Sequence, residues 1–206
     1  QAFLCVGIGL APEGPKYILI KSFWRENMKR NQTKKLVIAA LCLALGILFP
    51  QVFHVFGAGS TFLPMHIPVL LCGLICGWQF GGLCGLVVPL LSSLFTGMPP
   101  IFPTAPAMML ELCAYGVLTG LFYRKCKWNL YFALIGAMLA GRVVSGVANA
   151  IFMGIAGKAY GFSAFLTASF VTAIPGIIIQ IVAVPVIIIC MEKANLIESP
   201  RQSRMN

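Results

Sequence analysis

From residue 36 to residue 192 the chain consists of apolar runs, each about as long as the hydrocarbon core of a bilayer is thick, with short breaks rich in Gly, Pro, Lys or Arg. A helix rises about 1.5 Å per residue, so about 20 apolar residues cross that core. We therefore predict an all-α membrane protein with six transmembrane helices. They cover residues 36–56, 64–78, 81–97, 103–123, 130–156 and 163–192. The second and third are short and separated by Gln79 and Phe80, which predicts a tight helical hairpin.

The composition supports a single integral membrane domain. With 59% hydrophobic residues, 10% charged residues and a mean hydropathy of +0.92, the chain has too little polar surface to coat a water-soluble globule. We expect a transmembrane domain over residues 28–195 and a cytoplasmic tail over residues 196–206.

Residues 1–27 match neither a periodic helix nor a signal peptide with a basic start, whereas Met28 opens a basic stretch that leads directly into an apolar run. We therefore expect residues 1–27 to be a non-native or disordered extension.

The basic residues lie at the ends of the apolar runs, where they indicate topology. Six spans place both termini on one side, and the side opposite them carries only Lys158. The side of the termini carries Lys29, Arg30, Lys34, Lys35, Arg124, Lys125, Lys127, Lys193, Arg201 and Arg204. The positive-inside bias therefore places both termini in the cytoplasm. The net charge of +10 does not indicate nucleic-acid binding, because no basic face with interleaved aromatic residues exists.

Motifs for catalysis and metal binding are missing from the sequence. No HExxH motif, nucleophile elbow or phosphate-binding loop is present, so the sequence gives no support for an enzyme. Cys72 and Cys76 lie one helical turn apart, but a metal site needs further soft ligands at close spacing, and none is convincing. We expect no metal and no cofactor.

Four polar residues within or next to the apolar runs are the candidates for chemistry: Glu111, Arg142, His66 and Asn149. Charge inside hydrocarbon costs several kcal/mol, so such residues are functional candidates. Arg142 either pairs with Glu111 across the bundle or neutralises a carboxylate of a substrate, and both can hold at once. His66 is either an interfacial residue bonded to nearby backbone or a ligand contact. A lone buried Glu111 would instead take up a proton, which leaves open a stand-alone proton-coupled secondary transporter.

Several segments of the chain carry a resemblance when they are taken together. They are the basic start, the step from Ala40 to Ala44 in span one, LPMHIPVLLCGLICG after a Gly-rich loop, PLLSSLFTGMPP, MLELCAYG and AGRVVSG. With the six-span layout, these segments resemble the substrate-binding S components of energy-coupling factor transporters. The resemblance covers residues 28–192. It implies a six-helix bacterial cell-membrane protein that binds a vitamin or related micronutrient from outside and does no catalysis.

The resemblance also implies residue roles and partners. The pocket would be built by the first outer loop and the outer ends of the last three helices. Carried over to this chain, the ligand-binding residues are Phe62, Met65, His66, Met108, Glu111, Arg142, Asn149, Thr167 and Thr172. Ala40 and Ala44 would dock on a transmembrane coupling subunit that two cytoplasmic ATPases drive.

The expected substrate is a small molecule with a carboxylate, with pantothenate as the first choice, because Arg142 and Glu111 suit a cargo with acceptor and donor groups. A flavin is less favoured, since the outer loops lack the aromatic cluster on which a flat ring system stacks. Two other functional classes have less support from the sequence. A secondary carrier lacks support from inverted repeats, and a membrane-embedded enzyme would need a nucleophile or a metal set at one depth.

Overall fold

The computed structural model describes residues 15–55, 64–97, 99–157, 161, 167 and 174–194. These residues form helices joined by short turns. The helices are α1 (Pro15–Val55), α2 (His66–Cys76), α3 (Trp78–Thr96), α4 (Thr104–Gly120), α5 (Leu130–Ile155) and α6 (Ile174–Lys193), and a π-helical segment, Leu121–Lys125, continues α4. The predicted all-α class is confirmed, and the described part of the chain contains no strand.

Five of these helices are long and apolar enough to cross a membrane. In α1 the apolar stretch is Gln32–Val52, and α2, with 11 residues, is the shorter apolar helix. Residues 15–27, which lack an obvious helical period, are nevertheless helical in the structure as the beginning of α1. Whether residues 1–27 are an extension stays a prediction, as does the expected orientation. Predicted span six lies partly outside the described residues, which resume at α6.

The break between α2 and α3 lies at Gly77, so the predicted break at Gln79 and Phe80 was wrong by two residues. Gly77 adopts φ 102° and ψ 175°, a conformation that a side chain disfavours, and its N–H donates to the carbonyl of Gly73 at 3.1 Å. The predicted hairpin itself is confirmed. A Cβ placed on Gly81 would lie 2.6 Å from the Cα of Gly73, whereas residues eight apart in a continuous helix are about 12 Å apart.

Glycines bring α2, α3 and α4 into backbone contact. A Cβ on Gly81 would lie 2.5 Å from the carbonyl oxygen of Gly116, and one on Gly116 would overlap the carbonyl of Gly81. Gly85 meets the backbone of Leu112 in the same way. Such small residues let membrane helices approach closely. The seam fixes α4 against α2 and α3, and α4 also packs on α5.

The outward faces of the helices are apolar. On α5 the exposed positions include Phe132, Leu139, Val143, Val147 and Ile155. A water-soluble protein rarely exposes so continuous an apolar surface, whereas lipid is its natural solvent. The polar side chains inside the bundle are therefore shielded by helices on one side and by lipid-facing apolar residues on the other.

Candidate functional site

Glu111 is the centre of a buried polar cluster on α2, α4 and α5. The residue is 6% exposed, and both of its carboxylate oxygens have protein partners. Ser145 donates its hydroxyl to Oε2 at 2.7 Å, and Tyr115 donates its hydroxyl to Oε1 at 3.1 Å. Oε1 also lies 3.4 Å from Nη1 of Arg142. The predicted pair of Glu111 and Arg142 is thus confirmed, and it is part of a larger network.

Arg142 contributes only part of its guanidinium to this network. Nη1 is beside Glu111, whereas Nε and Nη2 are buried without a hydrogen-bond partner among the described residues. The residue itself is 6% exposed. A buried polar group without a partner is unusual and costs stability, so these two N–H groups call for an explanation.

His66 approaches the same carboxylate from the start of α2. Its Nε2 lies 3.7 Å from Oε1 of Glu111, too far for a hydrogen bond, and within the described part of the chain neither ring nitrogen has one. The ring meets that of Tyr115 at a centroid distance of 5.3 Å and an angle of 60°, an edge-to-face contact. His66 is 1% exposed and is therefore an internal residue of this cluster.

Helical spacing explains how the cluster forms. Glu111 and Tyr115 are four residues apart on α4, and Arg142, Ser145 and Asn149 lie along one stripe of α5. The side-chain amide of Asn149 donates to the carbonyl of Ser145 at 2.9 Å and to its hydroxyl at 3.3 Å. Asn149 thereby extends the network by one turn toward the end of α5.

The other predicted ligand residues are less closely tied to the cluster. Met65 is buried at the start of α2, and Met108 is half-buried against the core. Thr167 is exposed. Phe62 and Thr172 lie outside the described residues. The ligand roles of the nine predicted residues stay predictions.

Among the buried polar residues that sequence reasoning missed are Tyr115, Ser145 and Gln180. Tyr115 and Ser145 carried a usable signal, since each lies at helical spacing from a charged residue that was found, four after Glu111 and three after Arg142. Gln180 is the one amide in the apolar run of α6, and it is 1% exposed with neither side-chain atom hydrogen-bonded to a described residue.

A groove between α5 and α6 runs beside Arg142. It has a volume of about 70 Å³, and its lining is Ile135, Met138, Leu139, Arg142, Ile177 and Ile181. Ligand sites usually enclose 300 Å³ or more, so this groove alone is too small for a vitamin. The groove shows that the face of α6 with Ile177 and Ile181 lies beside Arg142.

Cysteines form a second internal cluster. Cys42, Cys72, Cys76 and Cys84 come from α1, α2 and α3, are all buried, and interact through their side chains around Cys72. Within the described residues no group of His, Cys, Asp and Glu side chains is arranged to hold a metal ion. Buried cysteines commonly behave as small apolar residues in a core.

The face of α1 that carries Ala40 and Ala44 points away from the bundle. Both alanines are exposed, as are Leu36, Leu41 and Leu48, while Cys42 on the other face is buried. Gly46 marks the packed side, because a Cβ there would lie 2.9 Å from a methyl group of Val88. Ala40 and Ala44 therefore lie on an exposed apolar surface of α1.

Fold and site together define a class: an integral membrane protein built of apolar helices, with a polar cluster sealed between three of them. The comparison with known families identifies it further. The family described as "ECF transporter, substrate-specific component" matches residues 34–188, most of the chain, and the protein belongs to that family. No curated protein and no solved structure matches it. The chain is thus a substrate-specific subunit of an energy-coupling factor transporter, a family of transport subunits that associate with a transmembrane coupling subunit and ATPases.

Proposed function

We propose that this subunit captures a small carboxylate-bearing micronutrient outside a bacterial cell membrane and delivers it inward, with pantothenate as the first candidate. The observation that carries the proposal is the state of Arg142. Its Nη1 is paired with Glu111, while Nε and Nη2 have no partner among the described residues.

Those two N–H groups are the edge of a guanidinium that matches a carboxylate with two parallel hydrogen bonds. Glu111 keeps the guanidinium in place from the opposite side, and Ser145 and Tyr115 keep Glu111 in place. An oriented guanidinium loses less entropy on binding than a free one. The ring nitrogens of His66, which have no partner among the described residues, supply further hydrogen-bonding capacity next to the carboxylate of Glu111.

The same contacts favour a binding site over a proton carrier. A proton-coupled secondary transporter needs a carboxyl group that gains and loses a proton during each cycle. Glu111 instead has a cationic neighbour and two hydroxyl donors. These contacts favour a fixed carboxylate that serves as the counter-charge of Arg142.

For transport we propose that the exposed Ala40 and Ala44 face of α1 docks on the transmembrane coupling subunit, which two cytoplasmic ATPases drive. Small residues allow close approach of a second helix in lipid, where apolar side chains alone give little preference for protein over lipid. The exposure of both alanines supports this assignment.

The capture proposal is tested by calorimetric titration of the detergent-purified protein with pantothenate and with panthenol, which keeps the amide but has an alcohol in place of the carboxylate. Pantothenate should bind at least tenfold more tightly, a difference of about 1.4 kcal/mol. Arg142→Lys keeps the charge but loses the fork, so it should abolish that preference. Arg124→Lys is the matched control, because Arg124 bonds the carbonyl of Leu74 outside the cluster. Equal affinity of the wild-type protein for both compounds would refute carboxylate recognition.

A further inference from the structure

Gln180 is a buried amide that the described part of the fold leaves without a hydrogen-bond partner. Its side chain is 1% exposed, and neither Oε1 nor Nε2 has a hydrogen-bond partner within the described part of the chain. An apolar residue of the same size would fill the space without leaving a donor and an acceptor unpaired. A buried carboxamide in this state has a donor and an acceptor that a bound molecule can use.

Gln180 lies on α6, the helix that forms the groove with α5 beside Arg142. Gly176, Gln180, Val184 and Ile188 repeat every four residues and form the buried stripe of α6. Ile177 and Ile181, three residues before and one after Gln180, line the groove that Arg142 also lines. Gln180 therefore lies on the inward side of α6, at the level along that helix where the groove beside Arg142 is found.

The chemistry of a free carboxamide narrows what it can bind. Oε1 accepts hydrogen bonds and Nε2 donates them, so the complementary group also has a donor and an acceptor side by side, as in an amide, a lactam or a ureido group. We propose that Gln180 recognises such a group on the ligand whose carboxylate Arg142 binds. This inference rests on the proposed function and adds a second requirement: the cargo carries a carboxylate and a separate amide-type group.

Recognition of an amide-type group by Gln180 should give the protein a strong selectivity among ligands. A site built to hydrogen-bond a polar group rejects a ligand without that group, because the site's own donor and acceptor then stay buried and unpaired. The protein should therefore discriminate strongly between acids of similar shape that differ only in an amide-type group.

The test compares three acids: pantothenate, which has an amide; biotin, which has a ureido group; and lipoate, which carries the same acid chain as biotin on a ring without hydrogen-bonding groups. Binding to the purified wild-type protein is measured by titration, together with the melting temperature of the empty protein. At least one of pantothenate and biotin should bind tenfold or more tightly than lipoate. Gln180→Met, which is unbranched and of similar length, should reduce that ratio to less than threefold without lowering the melting temperature. Gln180→Leu gives a second reading if the first variant folds poorly.

Ile178→Leu is the matched control, since Ile178 lies on the same helix and is exposed. Ile178→Leu should change neither the ratio of affinities nor the melting temperature. If lipoate binds the wild-type protein as tightly as the other acids, and Arg142→Lys weakens all of them, the Gln180 inference fails while the proposed function stands. Retained selectivity in Gln180→Met with a lowered melting temperature would show a structural role and also overturn the inference. If none of the three acids binds, pantothenate is refuted as the cargo and the Gln180 inference fails with it.

Discussion

The ring of Tyr115 packs directly on the Cα of Gly141, so closely that a Cβ at residue 141 would overlap it. Tyr115 donates to Glu111, which in turn lies beside Arg142, the next residue after Gly141. One glycine thus allows the aromatic ring of α4 and the guanidinium of α5 to meet the same carboxylate.

Replacing Gly141 with Ala should therefore displace Tyr115 and break its hydrogen bond to Glu111. We expect a loss of about 1–3 kcal/mol in the free energy of unfolding, the usual range for an overpacked core. Thermal unfolding in detergent measures it. Gly154→Ala on the same helix is the control, because a Cβ there has nothing within 4 Å. That variant should be unchanged or more stable by about 0.5–1 kcal/mol, since Ala favours helix over Gly. Equal effects of the two substitutions would contradict the packing described for Tyr115.

Glu111→Gln should be strongly destabilising. The substitution removes the counter-charge of a guanidinium that is 6% exposed, and an uncompensated buried charge costs about 3–5 kcal/mol. Chemical unfolding in detergent gives the value. Glu192→Gln is the control, because Glu192 accepts a hydrogen bond from Tyr123 at 3.0 Å away from the cluster, and it should cost about 1 kcal/mol or less. A Glu111→Gln protein as stable as the wild type would show that the pair with Arg142 does not contribute to the free energy of unfolding.

Gly116→Ala tests the glycine seam. The added methyl would meet the backbone of Gly81, which cannot rotate away as a side chain can, so α3 and α4 must separate. We expect a lower melting temperature and a loss of stability of several kcal/mol, at or above the 1–3 kcal/mol typical of overpacking. Gly136→Ala is the comparison, because its Cβ would sit 3.5 Å from the ring of Phe122, an ordinary contact. A tolerated Gly116→Ala would mean that the helices can move apart at little cost.

Ala40→Trp tests the docking surface of α1. Ala40 is exposed, so the large side chain should leave folding and ligand affinity unchanged while it blocks close approach of another helix. Uptake of radiolabelled ligand by cells or reconstituted vesicles should fall at least tenfold. Val147→Trp on the exposed face of α5 is the control for added bulk facing lipid. Normal uptake by the Ala40→Trp protein would place the docking face elsewhere.

The apolar pattern was sufficient for the fold class and for most helices, because lipid requires long, nearly uncharged runs. It failed where backbone geometry decides the outcome. The turn after α2 lies at Gly77 because a positive φ is needed there, and hydropathy does not distinguish Gly77 from Gly81. The length of α1 was also missed, since residues before Gln32 lack the apolar character that marks a span.

For the site, charge was the useful signal. Glu111 and Arg142 stand out in any apolar run, and their pairing follows from the cost of isolated charge in hydrocarbon. Tyr115 and Ser145 are ordinary residues in membrane helices, so their hydrogen bonds to Glu111 depend on which faces of α4 and α5 meet. That Nε and Nη2 of Arg142 have no partner among the described residues is a three-dimensional property that no spacing rule gives.

We propose that the edge of Arg142 formed by Nε and Nη2, which no described residue pairs, binds the carboxylate of a small molecule. The most direct test is mass spectrometry of what co-purifies with the native protein in mild detergent, carried out in parallel on Arg142→Lys. The account predicts a small carboxylic acid that the wild-type protein retains and the variant loses. A neutral or cationic molecule, or an acid retained equally by both proteins, would contradict it.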